Sequence, residues 1–427
     1  MLQPIPVPTI ERVPMKFSSR ISAMLLSVFL LLATCPGVLA QNQTNPSETR
    51  LLNGLRVLVF KTSEKSVSVK IRINAGASFD MAGKAGTMRL LTEVLFPNED
   101  FRAFIGEEFG TALTLRTNYD FIEIETGAPS EKLLSLLETL SARLISPEIN
   151  KDTVEAAKRI VMASANASPD SLMNQETAGR LLGSYPHGRP VNGDDQSMSS
   201  IDFADIVRAR ERFLSPDNTT LVIAGDVDAG LMSRATRRFF GPWTRADQKP
   251  RWSFANPIAT KPQTDPILRG DLTPGTFHFR VGLRNLSRTD SRYQAYLVTR
   301  SILTKRIQQR FGNVAVEDRG HRIPGALLLG ASSRNRSESE FFGETFLIDA
   351  SQLEFDAARA HQSGGSASIS ERWLDMESYS LSSPDTESDL AVKVTLADVN
   401  AVLALLRSTA SVVLTFAGPS IEGETTR

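Results

Sequence analysis

Apolar and polar positions alternate through LLNGLRVLVF (51–60) and SVSVKIRINAG (66–76), the period-two signature of two adjacent strands around a turn. FIEIETGA (121–128) alternates in the same way. The spacing changes in GKAGTMRLLTEVLF (83–96), where Met88, Leu91, Leu95 and Phe96 mark the apolar stripe of a helix. Arg89 and Glu93 stand four residues apart, so one helical turn brings them onto one face. EKLLSLLETLSARLI (131–145) reads as an amphipathic helix, and VEAAKRIVMASA (154–165) as another, capped by Asp152 or Thr153.

The pattern then repeats. FADIVRARERFLSPDNTTLVIAGDV (203–227) aligns without a gap to LADVNAVLALLRSTASVVLTFAGPS (396–420). Ile206 pairs with Val399, Phe213 with Leu406, Leu221 with Leu414, and Ala224-Gly225 with Ala417-Gly418. Each copy reads as a helix followed by a buried strand that ends at glycine. SVSVKIRINAG is echoed by GTFHFRVGLRN (275–285). The fold class expected is α+β, as two homologous units with an antiparallel-dominated sheet and helices on one face. The units span 51–245 and 268–420, joined by a Pro- and Trp-containing linker over 246–267, with a tail at 421–427.

Composition adds an address. The 427 residues are 41% hydrophobic and 22% charged with a formal net charge of zero, which disfavours nucleic acid or an anionic membrane as partner. Residues 1–40 read as an N-terminal extension and signal peptide. Lys16 and Arg20 precede the apolar run Met24 to Ala33, and Val38-Leu39-Ala40 supplies the cleavage site. Translation can start at Met1 or at Met15. The single cysteine, Cys35, falls inside this segment, so the mature chain has no disulfide, and lipidation at Cys35 is the second reading. Residues 41–50 read as a linker. The expected location is outside the cytoplasm, in a bacterial periplasm.

Chemistry is sparse. His187, His278, His321 and His361 are scattered, with no pair at the helical four-residue spacing that holds zinc. There is no Gly-x-Ser-x-Gly elbow, P-loop or dinucleotide fingerprint. Asp80 and Lys84 read as solvated turn charges, and Arg89–Glu93 as a helix-face pair worth ~0.3–0.5 kcal/mol if exposed.

One resemblance covers nearly the whole mature chain. Asn53-Gly54-Leu55-Arg56-Val57, Ile73-Asn74-Ala75-Gly76, Gly83, Gly86 and Leu95-Phe96 resemble, in order, the opening strands and metal helix of the insulinase, pitrilysin and mitochondrial-processing-peptidase family of zinc peptidases. Tyr185 to Gly193, Phe213 to Asn218 and Val222 to Asp226 resemble its later turn and strand. The resemblance implies that active members carry His-x-x-Glu-His on this helix. Here it puts Arg89 at the first histidine, Thr92 at the glutamate and Glu93 at the second histidine. Arginine cannot ligate a metal, and threonine cannot cycle a proton at neutral pH. The third ligand of the family falls at Ala163 or Ser164, with Glu155 about two turns upstream. Thr114 stands where the family has a cleft-lining asparagine. Arg319 or Arg322 stands nearest its arginine–tyrosine pair, without a tyrosine between Tyr296 and Tyr379.

The resemblance therefore implies a catalytically degenerate half clamshell without zinc. It would serve as partner subunit to an active zinc peptidase, with peptide adding as a strand to a sheet edge. A standalone peptide-binding or chaperone-like module is the alternative, and an active metallopeptidase with an unorthodox site the third reading.

Overall fold

A computed structural model describes residues 45–96, 99–164, 168–255, 266–268, 272–343, 345–362 and 367–418. The expected signal segment with Cys35, the middle of the expected 246–267 linker and the tail lie outside the described residues.

The alternating segments form strands. In the N-terminal half these are β1 (Ser47–Arg50), β2 (Arg56–Lys61), β3 (Ser66–Ile73), β4 (Thr114–Thr117), β5 (Ile122–Pro129) and β6 (Thr219–Gly225). They make one sheet in the order β1-β2-β6-β3-β5-β4, antiparallel except where β2 runs parallel to β6. Residues 47–50, expected as linker, pair with β2 as an edge strand. In the C-terminal half, β7 (Pro266–Leu268), β8 (Phe277–Arg284), β9 (Ala315–Arg319), β10 (Ala326–Ser333) and β11 (Ser411–Ala417) follow the order β7-β11-β8-β10-β9. β7, inside the expected linker, runs parallel to β11.

Most helices cover one face of each sheet, and a single helix covers part of the other. α1 (Thr87–Leu95), α2 (Glu99–Phe109), α3 (Leu133–Ile145) and α4 (Lys151–Ser164) precede α5 (Pro169–Leu182), α6 (Asp195–Ser200), α7 (Phe203–Phe213) and α8 (Ala229–Phe240). The first core joins Val67, Val69, Ile71 and Ile73 of β3 to Leu91 and Val94 of α1, Leu136 and Leu140 of α3, and Ile206 of α7. In the second half, α9 (Tyr293–Phe311), α10 (Gln352–Gln362), α11 (Ile369–Tyr379), α12 (Thr386–Ala391) and α13 (Leu396–Ser408) follow. Its core joins Phe279, Val281 and Leu283 to Tyr296, Leu303, Val399 and Leu403.

The repeat is real in the helices and slips in the strands. α7 and α13 both begin with a capping box, Asp202 with Asp205 and Thr395 with Asp398. The path from Leu406 to the strand start at Ser411 is one residue shorter than that from Phe213 to Thr219. A one-residue slip turns every side chain to the other face. Leu221 therefore points into the helical core, whereas Leu414 points to the opposite side of its sheet. The ungapped pairing of Leu221 with Leu414 needs a one-residue gap before the strand.

Each half also lends a helix to the other. α5, in the N-terminal half of the sequence, packs Met173, Ala178, Leu181 and Leu182 against Leu328, Leu414 and Phe416 of the C-terminal sheet. α11 packs Leu374, Trp373 and Ile369 on Leu58, Phe60 and Val222 of the N-terminal sheet. Both sheets belong to one compact unit, Thr44–Arg427.

Candidate functional site

α1 is fixed at both ends before its face is considered. Asp80 accepts from the backbone N–H groups of Gly86 (2.7 Å) and Met88 (2.9 Å), tying down orphan donors of the first turn. Gly86 has φ +93°, and a Cβ there would lie 2.5 Å from Met198 Cε, so the entry to the helix requires glycine. Asp80 is buried, and burial pushes its carboxyl up to about 7 against the pull of those N–H groups. Lys84 donates to Asp205 and to Ser200 O. Neither is the solvated turn charge that the sequence implies.

On the helix, Arg89 Nη1 lies 2.5 Å from Glu93 Oε2. Arg102 of α2 donates to the other oxygen, Oε1. Glu93 is 0% exposed, so this is a buried carboxylate between two guanidiniums rather than the expected surface pair. Thr92, equally buried, donates to Met88 O at 2.8 Å and shares a 2.7 Å bond with the Thr117 hydroxyl of β4. These three side chains do not make a zinc donor set. Arginine offers no lone pair, Thr92 is occupied, and both Glu93 oxygens are taken.

The other predicted positions are spread out. Ala163 and Ser164 end α4, which packs along α1, and both are exposed. They line a cleft of about 1030 Å³ with Tyr119, Gln175, Glu317 and Arg319, into which none of Arg89, Thr92 and Glu93 opens. Glu155 pairs with Lys158 on the exposed side of α4. Thr114 sits on the edge strand β4, opposite Glu125. Arg319 is buried at the junction of the halves, donating to Glu317 Oε1 (2.6 Å) and Gln175 Oε1 (2.9 Å). Arg322 lies over the Trp252 ring at 5.0 Å.

No family model matches the chain. An uncharacterised zinc protease of Mycobacterium bovis is 24% identical over 205 residues, 46% of this chain and 47% of that protein. The mitochondrial-processing peptidase subunit alpha-1 of Dictyostelium discoideum is 22% identical over 241 residues, 54% of this chain and 37% of that one. The chain thus spans about half or less of the curated relatives it matches. Among solved structures, a peptidase M16 inactive domain from Pseudomonas fluorescens superposes with TM-score 0.75 at 17% identity, covering 89% of this chain and all of that one. The chain has the fold of insulinase-like peptidases. The periplasmic protease PqqL from Escherichia coli shares the fold at TM-score 0.68 and 14% identity, covering 89% of this chain and 49% of that protein.

At the junction of the two halves, buried side chains far apart in sequence meet. Tyr119, from the N-terminal half, lies 6.0 Å from the Arg319 guanidinium, ring centroid to carbon, and donates to Arg189 O at 2.7 Å. A phenol from the N-terminal half thus lies beside Arg319. Asp120 next to it accepts from the backbone N–H of His321 (2.8 Å) and from Tyr379 Oη (3.2 Å). Burial pushes the Asp120 carboxyl up, with His321 and these donors pulling it down. Nothing in the sequence ties Tyr119 and Asp120 to residues two hundred positions away.

Proposed function

We propose that this chain is a non-catalytic peptidase homologue that binds peptide as the partner subunit of an active zinc peptidase. The observation that carries the reading is Glu93: fully buried, with one oxygen on Arg89 and the other on Arg102. Charge at this position is satisfied without metal, and the Thr92 hydroxyl cannot take a proton from a metal-bound water as a carboxylate would. No zinc is bound on this reading. Two of the similar proteins lend support, one named as an inactive domain and one as a subunit of a processing peptidase.

Peptide would add to β4, whose Thr114–Thr117 segment forms one edge of the N-terminal sheet. Export to a bacterial periplasm follows from the basic, apolar and small-residue order of residues 15–40, and the similar PqqL is named periplasmic. The test is to tag the full chain in its own host and purify it under gentle conditions. The reading expects a stoichiometric companion carrying His-x-x-Glu-His, and neither zinc nor cleavage activity in the isolated chain. Stoichiometric zinc with chelator-sensitive cleavage by the isolated chain would overturn it.

A further inference from the structure

Beside the N-terminal end of α1 lies an open cleft of about 640 Å³ that neither the degenerate motif nor the β4 edge uses. That size falls within the roughly 300–1,000 Å³ of small-ligand sites. Its apolar surface comes from Phe79, Met88 and Phe213. Phe79 is held there by Phe213 at 4.9 Å and by the edge of Trp252 at 4.6 Å, centroid to centroid.

Two separate segments bring cations to this apolar surface. Arg208 and Arg212 stand one turn apart on α7, and Lys249 and Arg251 lie on the chain after α8. The carboxylates nearby are largely committed elsewhere. Asp205 takes Lys84 and the N–H of Asp202 at its helix cap, and Arg208 reaches its other oxygen at 3.6 Å. Asp217 reaches Lys249 only at 4.0 Å. Among the described residues, no carboxylate lies within ion-pair distance of Arg212 or Arg251, and both side chains belong to exposed residues. Glu211 and Asp247 on the rim leave them unpaired.

A ligand that meets both segments carries more than one anionic group together with an apolar one. A fatty acid has one carboxylate and meets only one segment. We infer that this cleft docks an acidic peptide segment carrying a large apolar side chain: the apolar residue packs on Phe79 and Phe213, and flanking carboxylates meet Arg212 and Arg251. The site is separate from the β4 edge and stands whether or not the chain partners an active peptidase.

Fluorescence anisotropy on the full mature chain tests it with three fluorescein-labelled heptapeptides. Each has a central Leu-Phe, flanked by glutamates, by glutamines or by lysines. The glutamate peptide is expected to bind, to weaken as salt rises, and to lose about tenfold or more affinity on R212E/R251E. The lysine peptide should bind that double variant better than the unaltered chain. A control reversal at the exposed Arg334 should change nothing, and thermal melts confirm that both variants fold. Equal binding of the glutamine peptide, unchanged affinity in R212E/R251E, or binding of dodecanoate without binding of the glutamate peptide would each overturn the proposal.

Discussion

Arg72 of β3 and Asp375 of α11 come from opposite halves of the chain and meet with Nη1 2.6 Å from Oδ1. The Arg72 side chain is 1% exposed and also engages Glu123 of β5 and Glu371 of α11. Burial works against its charge, yet Glu123, Glu371 and Asp375 together raise its pKa. The borrowed helix is thus held by a buried ion cluster as well as by Leu374 and Trp373. The C-terminal sheet repeats the device more weakly: Arg280 of β8 engages Asp170 and Asn174 of α5. On both borrowed helices the two polar residues are four apart, so they share one face.

Replacing Arg72 by Met removes the shared cation of three carboxylates, two of them well buried, while Arg116, Lys70 and Arg288 still reach Glu123, Glu371 and Asp375. Leaving a buried charge uncompensated costs about 3–5 kcal/mol. With these second cations in place, Arg72→Met should lower unfolding stability by about 3 kcal/mol, the lower end of that range, in urea titration. Arg280→Met should cost less, about 1–3 kcal/mol, because Asp170 is 60% exposed and Asn174 is neutral. Equal losses for both variants would show that the two exchanged helices are not held differently.

Leu374 anchors the same helix by packing alone, 0% exposed against Leu58, Phe60 and Val222. Leu374→Ala should cost about 2–4 kcal/mol, the range for a large-to-small change in a well-packed site. Amide exchange should then rise along α11 and the back of β6 before it rises in α1 or α3. Uniform exchange across both halves would mean that the helix does not unfold as a separate element.

Most strands and the α1 helix were legible because period two and period 3.6 are local signals. The exchange of α5 and α11 was not. An apolar stripe tells that a helix face is buried, and says nothing of which sheet buries it. The one-residue slip of β11 escaped for a related reason: in TTLVIAG and SVVLTFA, apolar residues occupy both faces, so either register looks acceptable. At the candidate site, Arg89 and Glu93 were visible from their spacing on one helix. Arg102, which completes the neutralisation of Glu93, lies on the next helix, where no helical periodicity links it to α1. Asp80 looked solvated because its partners are backbone N–H groups, which a sequence does not display.

Glu93→Ala should destabilise rather than liberate the helix. Arg89 and Arg102, about one-sixth and one-third exposed at their side chains, would lose their common carboxylate. A loss of about 2–4 kcal/mol is expected, with Arg89→Ala costing less because Arg102 still reaches Glu93. On the reading that no zinc is bound, adding zinc or a chelator should leave the melting temperature of the unaltered chain unmoved. A zinc-dependent rise that vanishes in Glu93→Ala would instead make Glu93 a ligand.

His187 should make the fold sensitive to acid. It is 0% exposed, with Nδ1 lacking a hydrogen-bond partner among the described residues and Nε2 3.5 Å from Ser78 Oγ, and the backbone of Gly320 and Gly325 closes against its ring. Burial, together with the nearby charges of His321, Arg319, Arg284 and Arg189, pushes the imidazole down from 6.5 to about 3. The unfolded chain takes up a proton below 6.5 that the folded chain refuses. The contribution is therefore complete above pH 6.5 and is lost as pH falls towards 3, by at most about 2–3 kcal/mol between 6.5 and 4.5. His187→Gln keeps a neutral polar group of similar reach and removes the titration. It should be less stable than the unaltered chain at pH 7, with a shallower decline in acid, so that the two converge near pH 4.5 in urea titrations. Parallel declines would show that the His187 ring is protonated in the folded protein, and that another group carries the acid sensitivity.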